Sequence, residues 1–109
     1  MYVRESSTMS EHAIDFDQHT IDEFCRKWHI AQLSLFGSVT GDRFNDDSDV
    51  DLLVTFDPGT TRTFSEWMDM VLALEAFFGR KVDLVEERLL TNPFRRKSIL
   101  SDRKIIYAA

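Results

Sequence analysis

The spacing of apolar residues changes repeatedly along the chain, and each change marks an element. Ile21, Phe24, Cys25 and Trp28 recur at helical intervals behind Thr20-Ile-Asp-Glu23, which has the Thr-x-x-Glu form of a capping box. This predicts a helix from Thr20 to about His29. Ile30 to Phe36 reads as a strand ended by Gly37, and Val50 to Phe56 as a second strand closed by the turn residues Asp57-Pro58-Gly59. A second capping box, Thr63-Phe-Ser-Glu66, opens a long helix. Phe64, Trp67, Met68, Val71, Leu72 and Phe78 are expected to line its apolar face as far as Gly79 at C′. Lys81 to Val85 is a short strand with Val82 and Leu84 on one face and Asp83 on the other. Asn92-Pro93 supplies an N-cap and a proline at N1 for a helix over Phe94 to Leu100, and Lys104 to Tyr107 follows as a closing strand.

Residues 1–13 show no period and are expected to be a loose tail, within which Met9 competes with Met1 as the start. Residues 14–109 are then one domain, without internal repeats. The pattern of elements is that of an α/β (α+β) protein, a small mixed sheet flanked by helices.

Composition narrows the setting. A chain of 109 residues with 43% hydrophobic content can build one ordinary core. Its one cysteine, Cys25, cannot pair internally, and no apolar run has the length of a signal peptide or a membrane span. The cytoplasm is the expected compartment. The net charge of −6 is unevenly spread: residues 1–79 carry 5 basic and 15 acidic side chains, residues 80–109 carry 8 and 4. An acidic body argues against direct nucleic-acid binding. The basic run Arg95-Arg96-Lys97 is open to two readings, an anion-facing patch or a solvated helix face.

The chemistry concentrates in "LFGSVTGDRFNDDSDVDLLVTF", residues 35–56. Asp46, Asp47, Asp49 and Asp51 crowd into six positions and run straight into Leu-Leu-Val. Asp49 and Asp51, two apart on an expected strand, share a face, and adjacent carboxylates repel unless one is protonated or a cation lies between them. Magnesium, which takes one or two carboxylates plus substrate phosphates, is the natural cation. Taken alone, the pair is equally the start of a solvated strand. Gly37-Ser38 adds a second observation, because glycine allows close backbone approach and serine offers a hydroxyl and an amide to phosphate oxygens. Asp83 adds a third carboxylate, flanked by Val82 and Leu84.

Gly37-Ser38, ten residues, then Asp49-Val-Asp51 resembles the signature of the polymerase-β-type nucleotidyltransferases, and specifically the minimal nucleotidyltransferase (MNT) antitoxins paired with HEPN-domain toxins. The resemblance runs from about Thr20 onward through "FGS", "DSDVDLLV", "FDPG", the long helix and "GRKVDLV". It implies a polymerase-β-like core in which Asp49, Asp51 and Asp83 form a carboxylate triad for two Mg2+ ions and Gly37-Ser38 holds the triphosphate of ATP. It further implies transfer of AMP to a tyrosine hydroxyl of the HEPN partner. Many relatives have Arg-Gly where this chain has Gly41-Asp42, so no phosphate role carries over to position 41, and Arg43 is a candidate substitute.

Other motifs fit the residues less well. Asp47-Ser-Asp49-Val-Asp51 starts like an EF-hand, but the sixth position is Leu52 where glycine is needed and the twelfth is Pro58 where a glutamate is needed. His12, His19 and His29 do not combine with Cys25 into a zinc motif. An antitoxin that masks its toxin without modifying it, and a small-molecule nucleotidyltransferase, remain as alternatives. The second of these usually carries an added acceptor-binding domain, for which the core motifs leave little chain.

Overall fold

The structure, a computed structural model, describes residues 14–40, 45 and 47–109. The expected tail at 1–13 with Met9 and His12, the Gly41-Asp42-Arg43 stretch and Asp46 lie outside the described residues.

The first helix, α1, spans Gln18–Lys27 and begins earlier than its sequence suggests. Its N-cap is Asp17, whose carboxylate accepts from the Thr20 backbone N–H at 3.3 Å and from the Thr20 hydroxyl. Thr20 therefore sits at N3. Two capping residues three positions apart compete for one helix start, and the buried pair Phe16 and Ile21 decides it, standing at the N′ and N4 positions of a hydrophobic staple. The helix ends at Lys27, short of His29, which takes a left-handed conformation with φ 57° and turns the chain into the sheet.

Four strands form one mixed sheet in the order β3-β2-β1-β4: β1 is Ile30–Phe36, β2 Val50–Phe56, β3 Val82–Glu86 and β4 Lys104–Ala108. β1 pairs antiparallel with both β2 and β4, and β2 pairs parallel with β3. A parallel pair needs a crossover, supplied by helix α2 at Phe64–Phe78. Both bonds of its capping box form, Glu66 N–H to Thr63 Oγ1 at 3.1 Å and Thr63 N–H to Glu66 Oε1 at 2.8 Å. Gly79 closes it in the left-handed conformation that a β-carbon would disfavour. The last helix, α3, spans Pro93–Asp102, capped by the Asn92 side chain as its sequence suggests and longer at both ends than the apolar residues alone indicate.

The sheet buries both faces. One packs Leu33, Leu35, Val50, Leu52, Val54, Leu84 and Ile106 against α1 and α2. The other packs Phe36 and Leu53 against Ile99 of α3 and Leu90. Ser34 is buried too, and its hydroxyl has no hydrogen-bond partner among the described residues. The face of α2 differs from expectation. Met70 and Leu74 are buried with Trp67, Val71, Phe77 and Phe78 beside them, whereas Phe64, Met68 and Leu72 are exposed. The helix is apolar nearly all round, so spacing could not choose which stripe meets the sheet.

Candidate active site

Register brings the acidic residues together. Asp51 of β2 is paired with Asp83 of β3, and paired residues on neighbouring strands project to the same side of a sheet. Asp51 shares its side with Leu53, and Asp83 shares its side with Val85, so both carboxylates lie on the face covered by α3, at the end where β2 and β3 begin. Asp49 was expected on the strand; it lies one residue ahead of it, exposed. Its charge nonetheless reaches Asp51. Burial, then the negative charges of Asp83 and Asp49, push the Asp51 carboxyl above the usual aspartate range, with Arg95 of α3 opposing them.

Gly37 is the residue that closes the other side. Phe36 pairs with Asp51 at the end of β1, and the chain then turns through Gly37 at φ 75°. A β-carbon on Gly37 would overlap the Asp51 Oδ2. The position thus demands glycine both for its backbone angle and for its clearance. Half-buried Ser38 follows in the 3-10 turn Gly37–Thr40, which is anchored by buried Val39. The Thr40 hydroxyl lies 2.7 Å from the Gly37 carbonyl and 3.0 Å from the Asp102 carboxylate, tying the turn to α3.

The approach to Asp49 is a closed turn. Ser48 N–H donates to the Asn45 carbonyl at 3.0 Å, Asn45 N–H to the Ser48 hydroxyl at 3.0 Å, and Asp47 N–H to the Asn45 side-chain oxygen at 2.8 Å. Arg80, between α2 and β3, donates to the carbonyls of Asn45 and Ser48 at 2.9 and 3.0 Å. Sequence reasoning passed over Arg80, because nothing in a lone arginine after a helix announces partners 35 and 32 residues away.

Asp51 paired with Asp83, packed against Gly37 and reached by the charge of Asp49, suits a hard cation, whose charge would offset the like-charge repulsion that adds to burial in raising the Asp51 carboxyl. Among the described residues no group of three or more histidine, cysteine, aspartate or glutamate side chains is placed to hold a metal ion; magnesium takes one or two carboxylates and completes its shell with water and substrate phosphates. The other candidates separate from this site. Arg96 is engaged elsewhere, its guanidinium 2.9 Å from the Glu87 carboxylate, so the basic run is not one patch. Cys25 is buried, which pushes its thiol up to about 12. His19 lies exposed beside Glu23 on α1.

The model of the nucleotidyltransferase domain matches residues 18–106, from α1 to β4. A Methanocaldococcus jannaschii protein bearing the name "Putative protein adenylyltransferase MJ1379" is 36% identical over 76 residues, 70% of this chain and 76% of its own. A solved structure described as a "putative minimal nucleotidyltransferase" superposes with a TM-score of 0.66 at 29% identity, covering 94% of this chain and 96% of that one. The complex of a tri-AMPylated Shewanella oneidensis HEPN toxin with MNT antitoxin matches in fold, with a TM-score of 0.61 at 19% identity over 84% of this chain and 70% of that one. With the domain match spanning the whole sheet, from the helix before β1 to its last strand, the chain belongs to the nucleotidyltransferase domain family and is a nucleotidyltransferase.

Proposed function

We propose that this nucleotidyltransferase is the antitoxin of a HEPN/MNT pair and works as a metal-dependent protein adenylyltransferase, moving AMP from ATP to a tyrosine hydroxyl of its HEPN toxin. The observation that carries the chemistry is the in-register pairing of Asp51 with Asp83 beside a Gly37 that leaves no room for a β-carbon. The acceptor is suggested by the adenylyltransferase name of the archaeal relative and by the AMPylated toxin in the structural neighbour.

In this reading Asp49, Asp51 and Asp83 would hold two magnesium ions, and Gly37-Ser38 binds the triphosphate. The ions, when bound, lower the charge on the phosphates and favour the attacking hydroxyl as its oxyanion. Asp83, exposed on β3, orients the acceptor hydroxyl and takes its proton. A bond forms between the tyrosine oxygen and the α-phosphorus, the bond from that phosphorus to the bridging oxygen breaks, and pyrophosphate leaves. The proposed reaction belongs to the cytoplasm, where ATP and magnesium are at hand. No nucleic acid is invoked as substrate or ligand.

Intact-mass spectrometry of the toxin after incubation with the chain, ATP and magnesium tests this. The expected result is a toxin heavier by whole AMP units on a tyrosine-containing peptide, inactive after the antitoxin is removed, and unmodified with Asp83→Asn. A toxin that stays unmodified and regains activity when freed identifies an antitoxin that acts by masking. Transfer to a small molecule in place of the toxin identifies the third class.

A further inference from the structure

The two strands that carry the site's carboxylates are joined by β-pairing, but Asp49 lies outside that pairing and needs another tether. Asn45, Asp47 and Ser48 are joined to one another by three hydrogen bonds, none of which reaches the sheet. The fixing group is the Arg80 guanidinium, which donates to the carbonyls of Asn45 and Ser48. Arg80 is itself set by its neighbours. Gly79 ends α2 immediately before it, Lys81 O accepts the Val50 N–H at 2.9 Å, and the Glu75 carboxylate accepts the Val82 N–H at 3.1 Å. Three residues beyond Arg80 comes Asp83.

We infer that Arg80 is a positioning residue, which clamps Asn45 and Ser48 to the corner between α2 and β3 and so fixes Asp49 relative to Asp51 and Asp83. The inference deepens the proposed function and rests on it for its catalytic consequence. The clamp itself is testable without any transfer reaction. Both bonds leave one nitrogen, Nη1, whose two N–H groups are fixed in the guanidinium plane, whereas a lysine keeps the charge on a freely rotating ammonium with a shorter reach.

Charge and position make opposite forecasts for cation binding. If Arg80 acted only by its charge, removing it would tighten a cation site beside it. If it positions a carboxylate, removing it loosens the site.

The test compares the full chain with Arg80→Met and Arg80→Lys. Amide hydrogen exchange is read at Ser48 and Val50 against the core amides of Leu33 and Leu35, and Mn2+ affinity is read by water-proton relaxation. Arg80→Met is expected to speed exchange at Ser48 by about tenfold with Leu33 and Leu35 unchanged, and to weaken Mn2+ binding by about tenfold. Arg80→Lys should fall between. Unchanged Ser48 protection, or Mn2+ bound as tightly as or more tightly than before in a folded Arg80→Met, overturns the inference. If Arg80→Met also loses core protection, Arg80→Lys decides: full protection and affinity there show that charge alone suffices, and overturn it. A wild-type chain that binds no Mn2+ is a failure of the proposed metal site, and the exchange comparison still decides the clamp.

Discussion

Asp51 is held between two demands, since its β-strand needs it half-buried and its neighbours Asp83 and Asp49 add like charge. Its folded-state carboxyl therefore binds a proton more readily than the unfolded chain does. The resulting penalty is complete above the raised folded value, shrinks as pH falls through it, and is gone below the ordinary aspartate value of 3.8. Asp51→Asn is expected to raise the thermal midpoint of the metal-free protein at neutral pH, and the gap to the parent should close as both are melted at progressively lower pH. The same substitution should reduce AMP transfer by about 100-fold or more, because it removes a negative ligand with little change of shape. A variant less stable than the parent across that range would mean the carboxylate makes a favourable contact outweighing the repulsion. Among the described residues Arg95 is the cation that opposes these effects at Asp51, and its influence is the smallest of the four.

At the scale of elements, α2 is the test of what apolar spacing can and cannot say. Its buried stripe runs through Met70 and Leu74, while Leu72 and Phe64 face outward at 57% and 78% exposure. Leu74→Ala should cost about 2–5 kcal/mol in urea denaturation, and Leu72→Ala no more than about 0.5 kcal/mol. A larger cost at Leu72 than at Leu74 would place the helix in the other rotation. The limits of the sequence are visible in the same places. Strand ends were legible where a residue has one conformational use: Gly37 after β1, the Asp57-Pro58-Gly59 turn after β2, Gly79 after α2. They were not legible where two residues qualify, as with Asp17 and Thr20, or where polar residues fail to mark a face, as along α2. For the site, Asp51 and Asp83 were recognisable as candidates by type and neighbours. Their meeting depends on a parallel register that no local pattern encodes, and the Arg80 contacts depend on the loop that register creates.

Across the whole molecule, α3 is fastened at both ends to the layer beneath it. At its start, Glu87 accepts from the Thr55 hydroxyl at 2.6 Å and from Arg96 at 2.9 Å. At its end, Asp102 lies against Thr40. The Thr55 hydrogen bond first, and then Arg96, hold the Glu87 carboxyl below its ordinary value of 4.5. This contact stabilises the fold above 4.5 and is lost as pH falls through the lowered folded value. Arg96→Met should therefore destabilise by about 0.5–1 kcal/mol at neutral pH, the partner being partly exposed, with the difference fading in urea titrations carried out well below pH 4.5. A pH-independent difference would assign the loss to packing of the arginine stem. The strand order has a temporal meaning as well. β1 is made early, yet its second neighbour, β4, is the last strand synthesised, and Gln18 of α1 bonds to the Ile106 carbonyl across 88 residues of sequence. Such distant closure is slow. During synthesis one edge of the strand leading into Gly37 stays unpaired, and a nascent chain with an open apolar edge can pair with another of its kind. The carboxylate strands can find their register before that edge is covered, so the carboxylate-bearing end of the sheet takes shape while the opposite edge still awaits its partner.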